Sequence, residues 1–334
     1  MRSAVIGGGS WGTALATVLA NKGETVIWAR EPDVVDSINR EHRNNRYQRE
    51  FELPEAVRAT LSLEEALDGA ELVTLVVPSH VMRDMCQRVG PLLKPGIPIV
   101  SASKGIENDS LCTMEEVLNS ALPRALRSDV AFLSGPSFAA ETMARMVTAV
   151  TIAARYHDVA TAVQQAFSTS YFRCYTTEDV TGVELGGALK NVIAIAAGAA
   201  DGIGLGHNSR AALLTRGVAE ITRLAVKLGA NPLTLSGLAG MGDLVLTCTG
   251  NLSRNRHVGV EIGKGRKASE IIAEMDQIAE GVRTARSAYD LSLREGVDMP
   301  ITVEVFRMVH EDKPAKQAIR DLMSRDLKRE RETG

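Results

Sequence analysis

The run Ala4-Val5-Ile6-Gly7-Gly8-Gly9-Ser10-Trp11-Gly12 decides the fold. Its apolar start, Ala4–Gly7, reads as a strand, and Trp11–Lys22 reads as the helix that follows. Gly7, Gly9 and Gly12 fit G-x-G-x-x-G at the junction. The first glycine permits a tight turn, the second lets backbone approach a pyrophosphate, and the third lets helix and strand pack closely. N–H groups at the helix start then face the anion. A glycine turn without a ligand is the plain alternative, but the flanking strand, helix and second strand favour a dinucleotide site. No Gly-Lys-Ser/Thr follows the turn, which excludes a P-loop.

Outward from this turn, short β-rich runs alternate with helical stretches as far as about residue 180, the pattern of a parallel sheet with crossover helices. The strand candidates are Ala4–Gly7, Thr25–Trp28, Leu72–Val77, Ile97–Ala102, Val130–Leu133, Ala149–Ala153 and Phe172–Tyr175. Several are continuously apolar, as strands covered on both faces should be. Beyond residue 180 the pattern turns helical, with candidates Glu178–Ala200, Ser209–Leu228, Pro232–Leu238, Asn255–Lys264, Lys267–Ile272, Val282–Glu295, Pro300–Glu311 and Pro314–Leu322. The expected fold is α/β: a Rossmann-type doubly wound sheet over 1–180, then an all-helical domain over 181–334. No Pro/Ser-rich linker divides them, so they should pack closely.

The 334 residues carry 45% hydrophobic and 24% charged side chains, ordinary globular values. Lys and Arg total 38 against 41 Asp and Glu, so no global positive field exists to collect nucleic acid or anionic lipid. Neither partner is expected. Cys86, Cys112, Cys174 and Cys248 are scattered and six histidines are dispersed, with no metal-ligand spacing; reduced thiols and no metal are the reading. The N-terminus lacks a basic segment followed by an apolar export signal, so a cytoplasmic location is expected. Val183 to Leu205 is apolar but interrupted by Glu184, Lys190, Asn191 and Asp201, and reads as a buried helix instead of a membrane span.

In doubly wound sheets ligands bind outside the carboxyl ends of the strands. After the second strand stands Arg30, where an acidic residue would hold the ribose 2′-hydroxyl of NAD; a guanidinium suits a 2′-phosphate, while Glu31 beside it leaves NADH open. Ile97–Ala102 leads to Lys104, and Val130–Leu133 leads to a turn with Gly135, Ser137 and Ala139. In the helical half, Lys190 lies among small apolar residues, where it must pair, snorkel or lose its proton. Desolvation lowers a lysine pKa toward the range useful for proton transfer; a structural lysine capping a neighbouring helix is the equal alternative at this stage. Asp243 follows a Gly-rich turn, and Ser253-Arg254-Asn255-Arg256 sets two guanidiniums at a helix start, a phosphate-binding combination. His207, in a Gly-rich loop, carries no such signal.

Taken in order, Ser10-Trp11-Gly12, Ser103-Lys104-Gly105-Ile106-Glu107, Ser134-Gly135-Pro136-Ser137-Phe138-Ala139, Gly187–Asn191, Gly240-Met241-Gly242-Asp243, Ser253-Arg254-Asn255 and Glu280-Gly281 closely resemble bacterial NAD(P)-dependent glycerol-3-phosphate dehydrogenases over nearly the whole chain. The resemblance implies a 6-phosphogluconate-dehydrogenase-like helical domain and reversible reduction of dihydroxyacetone phosphate to sn-glycerol 3-phosphate for phospholipid synthesis, with NADP(H) or NAD(H) as cofactor. It also implies cofactor contacts at Ser10, Trp11, Arg30, Lys104, Ala139, Arg254 and Glu280. Lys104, Gly135, Ser137, Lys190, Asp243, Ser253, Arg254 and Asn255 would line the substrate site, with Lys190 as proton acceptor and Lys104 and Asp243 tuning it. A homodimer is expected from enzyme base rates alone. Two readings compete: a β-hydroxyacid-type dehydrogenase, whose substrate carries a carboxylate, and a non-catalytic dinucleotide sensor, which needs no ordered lysines.

Overall fold

The structure is a computed structural model and describes residues 1–275, 279–327 and 329–330. Its sheet, among the described residues, has eight strands: β1 (Ser3–Ile6), β2 (Thr25–Trp28), β3 (Val57–Thr60), β4 (Leu72–Leu75), β5 (Ile99–Ser101), β6 (Val130–Ser134), β7 (Thr148–Ala154) and β8 (Phe172–Thr177). Their order is β3-β2-β1-β4-β5-β6-β7-β8. β1 pairs in parallel with both β2 and β4, Ile6 lying opposite Trp28 on one side and Leu75 on the other. The chain therefore winds outward in both directions from β1, and a crevice opens at the carboxyl ends between β1 and β4.

Two features of the sheet depart from the sequence expectation. β3 was not among the expected strands, because Val57-Arg58-Ala59-Thr60 is short and its Arg58 reaches out to Glu24 and Glu65. Such a charged residue is a common way to blunt a sheet edge, and it hides the apolar pattern. β7 runs antiparallel to β6, Phe132 facing Ala153, although the other pairs are parallel. A run that is buried on both faces carries no mark of its direction.

Apolar side chains cover both faces of the sheet. Val5, Leu15, Ile27 and Val100 build one layer, and Ile6, Val26, Leu75 and Met82 the other. A third core surrounds the helix Val180–Ile203, with Val192, Ile195, Leu224, Val258 and Val305. That helix begins where Asp179 caps it, its carboxylate accepting from Gly182 N–H at 2.9 Å. It is long and apolar enough to cross a bilayer by length and composition, but 89% of its apolar window is buried inside the protein. Small residues let it press on the helix Arg254–Gly263: a Cβ on Gly198 would lie 2.1 Å from Arg256 O, and one on Gly259 2.1 Å from Ile195 O. The two backbones touch, so residues near the start of the second helix are held against the middle of the first.

The turn expected at Gly237–Asp243 is instead a π-helical turn, Leu238–Gly242, running directly into the helix Asp243–Thr249. Three glycines in seven residues conceal a helix from any propensity argument.

Candidate active site

The glycine turn joins β1 to the helix Ser10–Leu19. Gly7 has φ +132°, a conformation open to glycine, and a Cβ there would also meet Val76 O at 2.5 Å. A Cβ on Gly12 would stand 1.9 Å from Gly7 O, so the helix can start this close to the strand only without a side chain. On Gly9, by contrast, a Cβ would meet nothing within 4 Å. The space in front of Gly9 is thus open, and the helix behind it begins with no side-chain cap. First-turn N–H groups have no carbonyl ahead of them and the helix dipole favours negative charge, so this cradle fits a dinucleotide pyrophosphate. Ser10 and Trp11 are the first two helical residues. Arg30, two residues past β2, is 81% exposed and its Nε donates to Glu31 at 2.8 Å.

Facing the crevice, Lys104 from the loop after β5 meets Asp243 of the helical half and the turn after β6. Its Nζ donates to Asp243 Oδ2 at 2.6 Å and lies 3.5 Å from Gly135 O. Lys190 Nζ donates to the other oxygen of the same carboxylate and to Thr247 Oγ1 at 2.9 Å. Asp243 is 1% exposed and Lys190 7%. Burial pushes the Asp243 carboxyl up, but the two ammonium groups together outweigh it and hold it below the usual carboxylate range. Burial is also the main reason Lys190 falls to about 7; Asp243 opposes that fall and Lys104 adds to it. An amine that titrates near neutrality can both give and take a proton.

Gly135 bends the chain after β6 with φ +145°, and Ser137 Oγ donates back to Gly135 O at 3.0 Å. Ala139 opens the short helix Ala139–Met143 just beyond. Ser253 caps the helix Arg254–Gly263, its Oγ accepting from Arg256 N–H at 3.2 Å. Asn255 is 8% exposed, and its side chain is committed inside the protein: Nδ2 donates to Asn191 Oδ1 at 2.9 Å and Oδ1 accepts from Gly281 N–H at 2.8 Å. What Asn255 can offer a ligand is therefore its backbone at the helix start. Its side chain instead moors the Ser253–Asn255 corner beside Lys190 and beside the helix Glu280–Glu295. Glu280 accepts from Ser79 Oγ at 3.2 Å, joining that helix to the end of β4, and its carboxyl is raised by burial.

The structure thus ties Lys104, Gly135, Lys190 and Asp243 together by direct hydrogen bonds, and moors Asn255 and Glu280 around them. Arg256, one of the two guanidiniums expected at the helix start, is turned away into Asp201, with Nε at 2.9 Å from Oδ2. Thr247 escaped the sequence reading, and Asn191 entered it only as part of the Gly187–Asn191 motif, without a role in the site. Thr247 lies four residues after Asp243 and so shares its helix face, a signal available only once Asp243–Thr249 is known to be helical. Among the described residues there is no group of three or more His, Cys, Asp or Glu side chains placed to hold a metal ion.

Family models described as the N-terminus and the C-terminus of NAD-dependent glycerol-3-phosphate dehydrogenase match residues 2–160 and 179–320. The chain is 57% identical over 331 residues to glycerol-3-phosphate dehydrogenase [NAD(P)+] of Myxococcus xanthus strain DK1622, covering 99% of both chains. It is 54% identical over 331 residues to the protein of the same name from Geobacter sulfurreducens, again covering 99% of both. The crystal structure of glycerol-3-phosphate dehydrogenase from Coxiella burnetii superposes with a TM-score of 0.91 at 39% identity, covering 97% of this chain and 99% of that one. With both halves matched in order and relatives identical at more than half of all positions, the chain belongs to the NAD-dependent glycerol-3-phosphate dehydrogenase family.

Proposed function

We propose that this protein catalyses the reversible NAD(P)H-dependent reduction of dihydroxyacetone phosphate to sn-glycerol 3-phosphate, in the cytoplasm, supplying phospholipid synthesis. The carrying observation is the shared carboxylate of Asp243, which sets Lys104 from the sheet half and Lys190 from the helical half side by side at the crevice. The reading divides the chain into a cofactor domain over 1–180 and a substrate domain over 181–334, and takes the enzyme as a homodimer without a nucleic-acid partner.

The turn at Gly7, Gly9, Ser10, Trp11 and Gly12 would hold the pyrophosphate, with Arg30 at the adenosine ribose and Lys104, Ala139, Arg254 and Glu280 along the rest of the cofactor. When bound, the nicotinamide supplies a hydride to the substrate carbon or takes one from it. Lys190 gives its proton to the oxygen of the carbonyl being reduced, and in the reverse direction removes the hydroxyl proton. Lys104 places a second positive charge where negative charge grows on that oxygen. Asp243 holds both amines in place and opposes the fall in the Lys190 pKa. Gly135 and Ser137 shape the wall beside Lys104. Ser253 caps the helix whose start, with Arg254 and the Asn255 N–H, binds the phosphate. Binding energy spent on that remote phosphate fixes the carbonyl for reaction.

Following the absorbance of NADPH and of NADH with dihydroxyacetone phosphate, and with short keto acids in its place, tests the proposal. Turnover confined to the triose phosphate is expected. Turnover of keto acids alone would favour the β-hydroxyacid reading, and cofactor binding with no turnover the sensor reading.

A further inference from the structure

We propose that Asn44 is a positioning residue that aims the glycine turn at the cofactor pyrophosphate from behind; the inference rests on the dinucleotide reading above. Asn44 is 36 residues from Gly8 in the chain and belongs to no helix or strand, yet it is 0% exposed. The helix Pro32–Glu41 ends at His42 in a left-handed conformation, φ 50°, and the chain then turns back beneath the glycines.

All the hydrogen-bonding capacity on the nitrogen of the Asn44 amide goes to the turn. Nδ2 donates to Gly8 O at 2.8 Å and to Thr13 Oγ1 at 2.8 Å. The Thr13 hydroxyl donates in its turn to Gly9 O at 2.9 Å. Oδ1 accepts from Tyr47 N–H at 3.2 Å, which closes the segment on itself, and Ser10 Oγ reaches Tyr47 O at 3.4 Å. The carbonyls of Gly8 and Gly9 are therefore both held toward the protein. Across a trans peptide the carbonyl and the following N–H point in opposite directions, so the N–H groups of Gly9 and Ser10 are turned toward the open side.

Three successive glycines lose more conformational freedom on ordering than any other residues would, and Gly9 has no side chain with which to cap the helix itself. Backbone bonds tie its two ends, Gly7 N–H to Trp28 O at 3.0 Å and Thr13 N–H to Gly9 O at 2.9 Å; without Asn44 the Gly8 peptide between them would have to be ordered by the ligand, at a cost to affinity. Asn44 and Thr13 order it beforehand, which is preorganisation.

The test is calorimetric titration of ADP-ribose, which carries the pyrophosphate but no nicotinamide, into the wild-type protein, Asn44→Ala, Asn44→Asp and Thr13→Val. Thermal unfolding of each variant is measured alongside. Asn44→Asp keeps the shape but sets an acceptor against Gly8 O; Thr13→Val removes the hydroxyl that links Asn44 to Gly9 O while leaving the Asn44 bond to Gly8 O, and carries the test if the Asn44 variants do not fold. The wild type is expected to bind, and each folded variant to bind about tenfold or more weakly, the loss expected from one anchoring hydrogen bond. In steady state the cofactor KM should rise with the dihydroxyacetone phosphate KM unmoved. A folded Asn44 or Thr13 variant that binds ADP-ribose like wild type, or that loses kcat with both KM values intact, overturns the assignment. A wild type that does not bind ADP-ribose overturns the dinucleotide reading and this inference with it.

Discussion

Lys190 and Lys104 share one carboxylate, each ammonium bonded to a different oxygen of Asp243. Two cations this close to each other are tolerable in a buried site because the anion between them serves both. Lys190 is the more deeply buried, and that burial brings it down to about 7. Lys190→Ala should reduce kcat by roughly 10²- to 10⁴-fold, the range for a lost general acid or base. NADPH binding, followed by fluorescence, should be retained. A kcat near that of the wild type would remove Lys190 from the proton transfer.

The same lysine predicts opposite pH dependences for the two directions. Reduction needs the protonated amine, so its kcat should decline as pH rises through about 7. Oxidation needs the neutral amine and should decline as pH falls through the same region. Asp243 is the leading influence holding the Lys190 pKa up, so in Asp243→Asn the pKa drops further and the reduction limb moves to lower pH. Rate profiles in both directions check this, and an unmoved reduction limb in Asp243→Asn counts against the assignment.

Arg254 stands exposed at the start of its helix, beside the corner that Asn255 moors to Asn191. Losing a charged hydrogen bond to phosphate typically weakens binding by about 1.5–3 kcal/mol, or roughly 10- to 100-fold. Arg254→Ala should raise the KM for dihydroxyacetone phosphate by about that factor while leaving unphosphorylated dihydroxyacetone equally poor for both enzymes. An unchanged KM for the phosphorylated substrate would dismiss Arg254 as the phosphate ligand.

Arg30 is largely exposed and pairs with Glu31. An exposed guanidinium supplies modest energy because water screens it, so Arg30→Ala should cut the NADPH:NADH ratio of kcat/KM by no more than about tenfold. Measuring kcat/KM with both cofactors decides the matter; an unaltered ratio places the 2′-phosphate elsewhere.

Much of this molecule was readable in one dimension. Gly7, Gly9 and Gly12 between an apolar run and a helical one mark a strand-to-helix turn; the demand at Gly12 is local, a Cβ meeting Gly7 O, whereas the one at Gly7 comes partly from Val76 O just past β4. The shift from β-rich runs to long helical ones near residue 180 is likewise a local pattern, and β8 ends at Thr177 with the next helix starting at Val180. Lys104, Lys190 and Asp243 stood out because charge in an apolar or glycine-rich setting needs a reason.

Tertiary structure decided what those charges touch. Lys190 lies in an apolar helix with no partner legible nearby in the chain, and the π-helical turn at Leu238–Gly242 delivers Asp243 and Thr247 to it across 53 and 57 residues. Arg256, one of the two guanidiniums that the sequence sets at the start of the helix Arg254–Gly263, and the Asn255 side chain bind Asp201 and Asn191, respectively, on another helix. β3 and the reversal of β7 stayed hidden for the same reason. Residue type and spacing determine a backbone conformation, whereas a side chain's partner, and hence its charge and its task, depends on which distant surface the packing brings against it.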